Sequence, residues 1–209
     1  MALYLFEIPK ELSFDDIKEY LDHVSEERKE KILRYKPESS RIESLLAALL
    51  IRYAIRKDLS LPNNAIAISH NEYGKPYLTG YPDYHFSVSH SGRYIAFISD
   101  NAPVGIDIQN MEQLKKPISG HFFTDYENSY ISENGLNGFY EVWTRKEAYV
   151  KLLGTGFSTP ISSFDVFDKL GVSFNTQENE SYMITVCSRN VMAEKVEFER
   201  VGMDELEPK

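Results

Sequence analysis

Residues 40–58, "SRIESLLAALLIRYAIRKD", constrain this chain more than any other stretch. From Leu45 to Ile51 every side chain is apolar, so a helix here has no polar side to turn toward water. Such a helix must be surrounded, and it belongs at the centre of the fold. The rest of the chain can supply the surroundings. Of its 209 residues 42% are hydrophobic and 13% aromatic, which suits a packed core and excludes a disordered chain. That length allows one large domain or two small ones. The charges near the helix ends are ordered too. Arg41, Arg52 and Arg56 fall within about 60° of one another at roughly 100° per residue, either as a solvated stripe or as an edge that faces an anion.

Cys187 is the only cysteine, so no internal disulfide can form and a reducing compartment is expected. No apolar run approaches the ~20 residues needed to span a bilayer. The start, "MALYLFEIPKEL", has neither a basic n-region nor a long apolar stretch, and reads as the first strand of a cytoplasmic protein. The net charge is −9. Residues 1–104 carry 13 Lys/Arg against 15 Asp/Glu, and residues 105–209 carry 10 against 17. An acidic balance argues against general nucleic-acid binding, which depends on neutralising phosphates. A basic patch in the first half still suits a phosphorylated small molecule or an acidic protein.

Hydrophobic periodicity predicts a strand over 3–8 and a charged helical region over 13–36. Ser13 with Asp16 imitates a capping box there, and Ser25 ahead of "EERKEKILRY" is a second N-cap. A strand is expected over 65–69 and a turn over 71–78. Strands over 84–90, 93–99 and 103–109 follow, joined by turns at Ser91-Gly92 and "DNAP", and read as an antiparallel meander. The second half offers helices over 121–133 and 137–154, the latter ended by Gly154, then strands near 164–167, 171–174, 181–188 and 194–201. The expected class is α+β. Two similar α/β subdomains, 1–103 and 104–209, each with a long helix and about three antiparallel strands, pack as a pseudo-dimer.

Several constellations could carry chemistry. In "PVGIDIQ" (103–109) alternation sets Val104, Ile106 and Ile108 on one face and Gly105, Asp107 and Gln109 on the other. This is either a surface strand with a solvated acid or a metal or phosphate site, with Gly105 leaving room beside the backbone. On the second long helix Trp143, Glu147, Val150 and Lys151 share one side. They form either an ordinary Glu→Lys surface pair or a carboxylate flanked by Lys146 and Lys151 that binds a divalent cation and phosphate oxygens. "SVSHSG" (87–92) lacks the G-x-S-x-G pattern of a hydrolase elbow and sits at a hairpin, so His90 with Ser89 and Ser91 suits hydrogen bonds to phosphate or ribose. "GTGFST" (154–159) lacks the Lys-Ser/Thr of a Walker A loop. The histidines have no zinc spacing and a lone cysteine excludes a thiolate site.

In order, "NEYGKP", "FSVSHSGRYIAF", "VGIDIQ" and "WTRKEAYVKLLGTGF", with the "KILRY…SRIESLLAALLIR" region, resemble the 4′-phosphopantetheinyl transferases of the pseudo-dimeric type, which activate nonribosomal peptide and polyketide synthetases. The resemblance covers nearly all of residues 1–165. It implies two similar α/β halves with coenzyme A between them. The implied reaction moves 4′-phosphopantetheine from coenzyme A to a serine of an apo acyl, peptidyl or aryl carrier protein, releasing 3′,5′-adenosine bisphosphate. Magnesium is the implied cofactor, on Asp107 and Glu147, with Gln109 where many relatives have Glu. Asp107, Glu147 and Lys151 are the implied catalytic residues. Lys151 and Lys146 would hold the pyrophosphate, and Lys75 and Pro76 would line the adenine and ribose side. Ser89 and His90, with Arg28, Lys31 and less surely Arg41, would reach the 3′-phosphate region. Gly105 is expected to clear the backbone beside the substrate. A monomer is expected, with no nucleic acid and no membrane as partner. Two other functions fit the same residues: a magnesium-dependent nucleotide pyrophosphohydrolase, which would consume coenzyme A without a carrier, and a non-catalytic carrier-binding module, which would not need Asp107, Glu147 and Lys151 together.

Overall fold

The computed structural model describes residues 1–112, 120–193 and 196–207. The first strand, β1, is Ala2–Glu7. Helix α1, Glu26–Arg34, starts at Ser25, whose hydroxyl accepts from the Arg28 amide as an N-cap should. The signal at Ser13 does not start an α-helix. Asp16 accepts from the amide and hydroxyl of Ser13 at 2.9 and 2.6 Å, which closes a turn, and only a 3₁₀ segment, Lys18–His23, follows. A short acid that bonds local backbone competes with the helix ladder, so the helix predicted over 13–36 is two short pieces.

Helix α2, Glu38–Leu59, is central as expected: Leu45, Leu46, Leu49 and Leu50 are at most 1% exposed. At about 1.5–3 kcal/mol for each fully buried leucine, this row fixes where the helix must lie. The hairpin β2 (Ile68–His70) and β3 (Pro76–Leu78) follows, with its first strand starting later than the sequence implied. Then come β4 (His85–Ser91), β5 (Tyr94–Asp100) and β6 (Val104–Asn110). The second half is α3 (Asp125–Leu153), β7 (Ser173–Glu178), β8 (Tyr182–Ser188), β9 (Glu199–Val201) and α4 (Met203–Leu206).

The predicted meander breaks before its third strand. One sheet has the order β4-β5-β1-β9; β6 instead pairs with β8 in a second sheet, β6-β8-β7. Val104, Ile106 and Ile108 are fully buried against Leu3, Leu5, Ala96 and Ile98, so β6 lies on the face of the first sheet and does not extend its edge. The other face of that sheet, with Tyr4, Phe6, Phe86 and Phe97, packs on α2. Ala148 and Leu152 of α3 pack on Cys187 of the second sheet. The layers therefore run α2, first sheet, second sheet, α3.

Two further expectations change. Residues 164–167 form no strand: Asp165 accepts from the Phe167 amide at 2.8 Å and bends the chain there. Of the strand expected over 194–201, residues 194–195 lie outside the described residues and only β9 forms, pairing in parallel with β1. The last elements thus return to the first half, and do not extend the sheet of their own.

The break predicted between 133 and 137 is present as a fold-back inside α3 at Gly135 (φ 59°, ψ −137°). Glu127 and Lys146 would be about 28 Å apart on a straight helix at ~1.5 Å per residue, yet their side chains meet at 2.8 Å. Thr124 and Glu127 form a full capping box at the start, and Gly154 (φ 71°) ends the helix in the left-handed region.

Candidate active site

β4 and β6 meet at the middle of the molecule through serines. Ser87 accepts from the Ile106 amide at 3.2 Å, Ser89 from Ile108 at 3.3 Å and Ser91 from Asn110 at 3.0 Å. Both strands repeat every two residues, so three hydroxyls stand in for a partner strand along this edge of β6. Two of them also donate onward. Ser89 donates to Asp107 Oδ1 at 2.8 Å and Ser91 to Gln109 Oε1 at 3.4 Å. The third, Ser87, faces Gly105 of the ladder, where no side chain can receive its proton, and it lines the cleft described below.

Asp107 is 1% exposed. Lys151 Nζ donates to its Oδ1 at 2.6 Å and to Ser89 Oγ at 2.7 Å, so α3, β4 and β6 converge on one carboxylate. Gln109 Nε2 donates to Asp107 Oδ2 at 2.9 Å. A carboxylate only accepts, so the amide nitrogen must be the atom facing it. The Gln109 oxygen accepts from Ser91, so as placed here the residue serves Asp107 as a donor. Glu147 is half-buried and makes no side-chain hydrogen bond among the described residues. Burial, then the negative charge of Asp107, push its carboxyl pKa up, and Lys151 partly offsets them.

These groups border a cleft of about 570 Å³ lined by Lys75, Pro76, Ser87, Glu147 and Lys151, with Tyr73, Phe122 and Trp143 as its apolar side. Trp143, Glu147, Val150 and Lys151 all line it, as their helical spacing predicted. A second cavity of about 580 Å³, between Arg56, Lys57 and Asp204, holds none of the expected site residues.

At the other end of the site, Arg28 Nη2 donates to Ser44 O at 3.1 Å, and the Nε atoms of Arg28 and Arg41 are buried with no hydrogen-bond partner among the described residues. The Arg41 guanidinium lies 4.7 Å over the Phe14 ring. His90 Nδ1 is 3.4 Å from Glu43. Burial lowers the His90 pKa, Glu43 and Asp107 oppose this, and Lys151 and Arg28 add to it, so four charged groups act on one imidazole. Lys31 is exposed one turn along α1 from Arg28. Arg52 is not part of this edge: it holds Asn63 and the Ile66 carbonyl.

Two lysines and a glycine are occupied by the protein itself. Lys146 is fully buried and paired with Glu127 and is not among the cleft-lining residues. Lys75 borders the cleft, but its ammonium donates to Leu152 O at 3.1 Å and Val104 O at 3.2 Å, while Asn71 Nδ2 donates to Gly154 O at 2.8 Å. The 71–75 turn thus caps the end of α3 that carries Lys151. A Cβ on Gly105 would lie 1.9 Å from Ala148 O, so that glycine admits α3 and not a substrate.

The Lys75 environment gives a pH prediction. Burial pushes its pKa down from the usual lysine range to about 8. Below that pH both folded and unfolded chains hold the proton. Between about 8 and ~10.4 the unfolded chain binds more protons, so this group makes the protein more stable as pH rises. Urea unfolding from pH 7 to 9.5 should therefore show a rise in wild type, relative to Lys75→Met, that begins near pH 8. Parallel curves for the two proteins would remove Lys75 as the cause.

Sequence reading missed Ser87 and Glu127, and it did not foresee that Ser91 bonds the Asn110 amide. The alternation of Ser87, Ser89 and Ser91 along one face, and Thr124-x-x-Glu127 as a capping box, were the available signals. Among the described residues no three His, Cys, Asp or Glu side chains gather as a metal cluster, and no helix is long and apolar enough to cross a membrane.

Comparison with known proteins adds the following. A family model described as 4′-phosphopantetheinyl transferase, N-terminal, matches residues 11–102, and one described as the 4′-phosphopantetheinyl transferase superfamily matches residues 103–194. The 4′-phosphopantetheinyl transferase Sfp of Bacillus subtilis (strain 168) is 32% identical over 170 residues, 79% of this chain and 76% of that protein. A second Bacillus subtilis 4′-phosphopantetheinyl transferase is 35% identical over the same shares. The 4′-phosphopantetheinyl transferase gsp of Aneurinibacillus migulanus is 32% identical over 192 residues, 89% of this chain and 79% of that protein.

Proposed function

The chain belongs to the 4′-phosphopantetheinyl transferase superfamily, and we propose that its reaction takes place in the cleft beside Asp107, Glu147 and Lys151. It transfers phosphopantetheine to carrier proteins, with coenzyme A as the donor. The reading of the site rests on one observation above all: Lys151 bridges Ser89 and Asp107 at 2.7 and 2.6 Å, next to a carboxyl with raised pKa.

The acceptor is a serine of the carrier, acyl or peptidyl. Its oxygen attacks the phosphorus that bears pantetheine. The bond from that phosphorus to the bridging oxygen breaks, and 3′,5′-adenosine bisphosphate leaves with the electron pair. Glu147 takes the serine proton; burial and Asp107 raise its pKa, which makes it a stronger proton acceptor than an ordinary carboxylate. Lys151 sits where charge develops on the departing pyrophosphate oxygen. The buried Nε atoms of Arg28 and Arg41, with His90 and Lys31, support recognition of the 3′-phosphate. Pro76 and the backbone at Lys75 border the nucleotide side of the cleft.

The residues fit magnesium as a two-carboxylate site: Asp107 disfavours the charge of Glu147, and a cation with oxygen ligands from substrate and water would relieve that. When bound, it would neutralise pyrophosphate charge. We further place the reaction in the cytoplasm, with a monomer of two halves, 1–103 and 104–209, as the working unit.

The test is intact-mass measurement of an apo carrier protein after incubation with coenzyme A, with and without EDTA. Addition of one phosphopantetheine that EDTA prevents and magnesium restores is expected. Consumption of coenzyme A with no carrier present would instead make the protein a hydrolase.

The nucleotide end gives another prediction. Dephospho-coenzyme A lacks the 3′-phosphate. Arg28→Ala or Arg41→Ala should narrow the preference for coenzyme A over this analogue by about tenfold or more, as loss of a charge-assisted hydrogen bond implies. If the ratio of kcat/KM values stays at the wild-type level in both variants, these arginines do not contact that phosphate.

A further inference from the structure

Lys146 precedes Glu147 by one residue on α3, about 100° round the helix, and so points away from the cleft. It is fully buried, and every donor it has is used. Its Nζ donates to Glu127 Oε2 at 2.8 Å, Ile161 O at 2.8 Å and Phe164 O at 2.6 Å. Glu127 is also fully buried, and both of its oxygens accept hydrogen bonds. It accepts from the Thr124 amide at 2.8 Å and from the Val166 amide at 2.9 Å. Thr124 Oγ1 in turn donates to Asp165. Three pieces of chain meet in this network: the start of α3, its second limb beyond Gly135, and residues 161–166. At the start of that last segment, Pro160, Ile161 and Ser162 line the cleft.

A lone buried ammonium or carboxylate would be costly, whereas this pair satisfies both charges and four backbone groups, the Ile161 and Phe164 carbonyls and the Thr124 and Val166 amides. We propose that Lys146 and Glu127 are positioning residues: a buried ion pair that fixes the 160–166 wall of the cleft against the helix limb carrying Glu147 and Lys151. The lysine acts through the wall and does not touch the pyrophosphate. The functional part of this inference rests on the transferase reading; the structural part does not.

The two roles predict different behaviour at Glu127, which no substrate can reach. If the pair holds the wall, Glu127→Gln and Lys146→Met should each accelerate amide hydrogen exchange across 161–166 by about tenfold or more, and each should raise the Kd for coenzyme A, measured by calorimetry, by about tenfold. The double variant should be no worse than the weaker-binding single variant, because both changes release the same segment. In the transfer assay KM for coenzyme A should rise more than kcat falls, and Lys146→Arg should recover part of the loss. Should Lys146→Met fail to fold, Glu127→Gln carries the test alone, since it keeps the shape of the side chain. Unchanged exchange at Val166 and unchanged affinity in Glu127→Gln would overturn the proposal, as would additive losses of affinity in the double variant. Exchange and affinity are read without turnover, so a protein that passes them and transfers nothing would refute the transferase reading and leave the wall assignment standing.

Discussion

Asp107→Ala should lower kcat for phosphopantetheine transfer by about 10²–10³ or more, the range seen when one preorganised charge-stabilising group is removed. The structure explains why a single carboxylate matters so much. It fixes Lys151 at 2.6 Å, receives Ser89 at 2.8 Å and Gln109 at 2.9 Å, and sets the charge that Glu147 experiences. Removing it frees the lysine and strands the buried Ser89 hydroxyl and the partly buried Gln109 amide. Stability will fall as well, because Asp107 is 1% exposed and its partners lose their acceptor. About 1–3 kcal/mol is expected, or roughly 2–12 °C in Tm for a chain of this size. Asp107→Asn separates the two effects: it keeps an acceptor for Ser89 and Lys151 but removes the charge. It should recover most of the Tm and little of the rate. Gln109→Ala is the control on the same strand face. Its amide serves Asp107 as a donor, so a loss within about tenfold is expected. Transfer kinetics beside thermal unfolding decide the matter. Near-normal kcat in Asp107→Asn would remove the carboxylate from the mechanism, and a Gln109→Ala variant as inactive as Asp107→Ala would restore glutamine as a required ligand.

The contrast between these two residues shows how far sequence reading reaches. Alternation placed Asp107 and Gln109 on one face, and helical spacing placed Trp143, Glu147, Val150 and Lys151 on another; both hold, because each pattern lives within one element. The central helix was readable for the same reason, since seven apolar residues in a row leave it no exposed side. Orientation across elements was not readable. Lys146 stands in a motif that suggests an anion, yet its partner Glu127 comes near only because the chain folds back at Gly135. β6 follows β5 after a short turn that suits a meander, yet its apolar face prefers the face of the first sheet to its edge. The serines of "SVSHS" invite phosphate, and their first use is to satisfy backbone amides that this placement of β6 leaves without a strand. In each case the deciding contact joins residues that no local pattern pairs.

Gly105→Ala should damage the fold more than any other small substitution in the second half. The added Cβ would lie 1.9 Å from Ala148 O and 2.6 Å from Leu152 N, both backbone atoms of the α3 limb that carries Glu147 and Lys151. A flexible side chain could move aside; a helix held at both ends cannot. Lys75 and Asn71 cap its end, and the Glu127–Lys146 pair anchors its middle. The strand has no freedom either, because β6 is bonded to β8 on one edge and to the serines of β4 on the other. Overpacking a tight core costs about 1–3 kcal/mol and more where backbone must shift, so Tm should fall by roughly 6–12 °C if the cost reaches ~3 kcal/mol. Any folded fraction should transfer poorly, since moving α3 away from β6 stretches the contact between Lys151 and Asp107. Gly171→Ala is the comparison: its added Cβ meets nothing within 4 Å, and only its positive φ of 70° opposes the change. It should cost about 1 kcal/mol through backbone strain and leave kcat unchanged. Thermal unfolding of both variants, with kcat measured below the lower Tm, separates the cases. A Gly105→Ala protein with wild-type Tm and rate would mean that α3 does not sit against β6 as described, and the convergence of Lys151, Ser89 and Asp107 would fall with it.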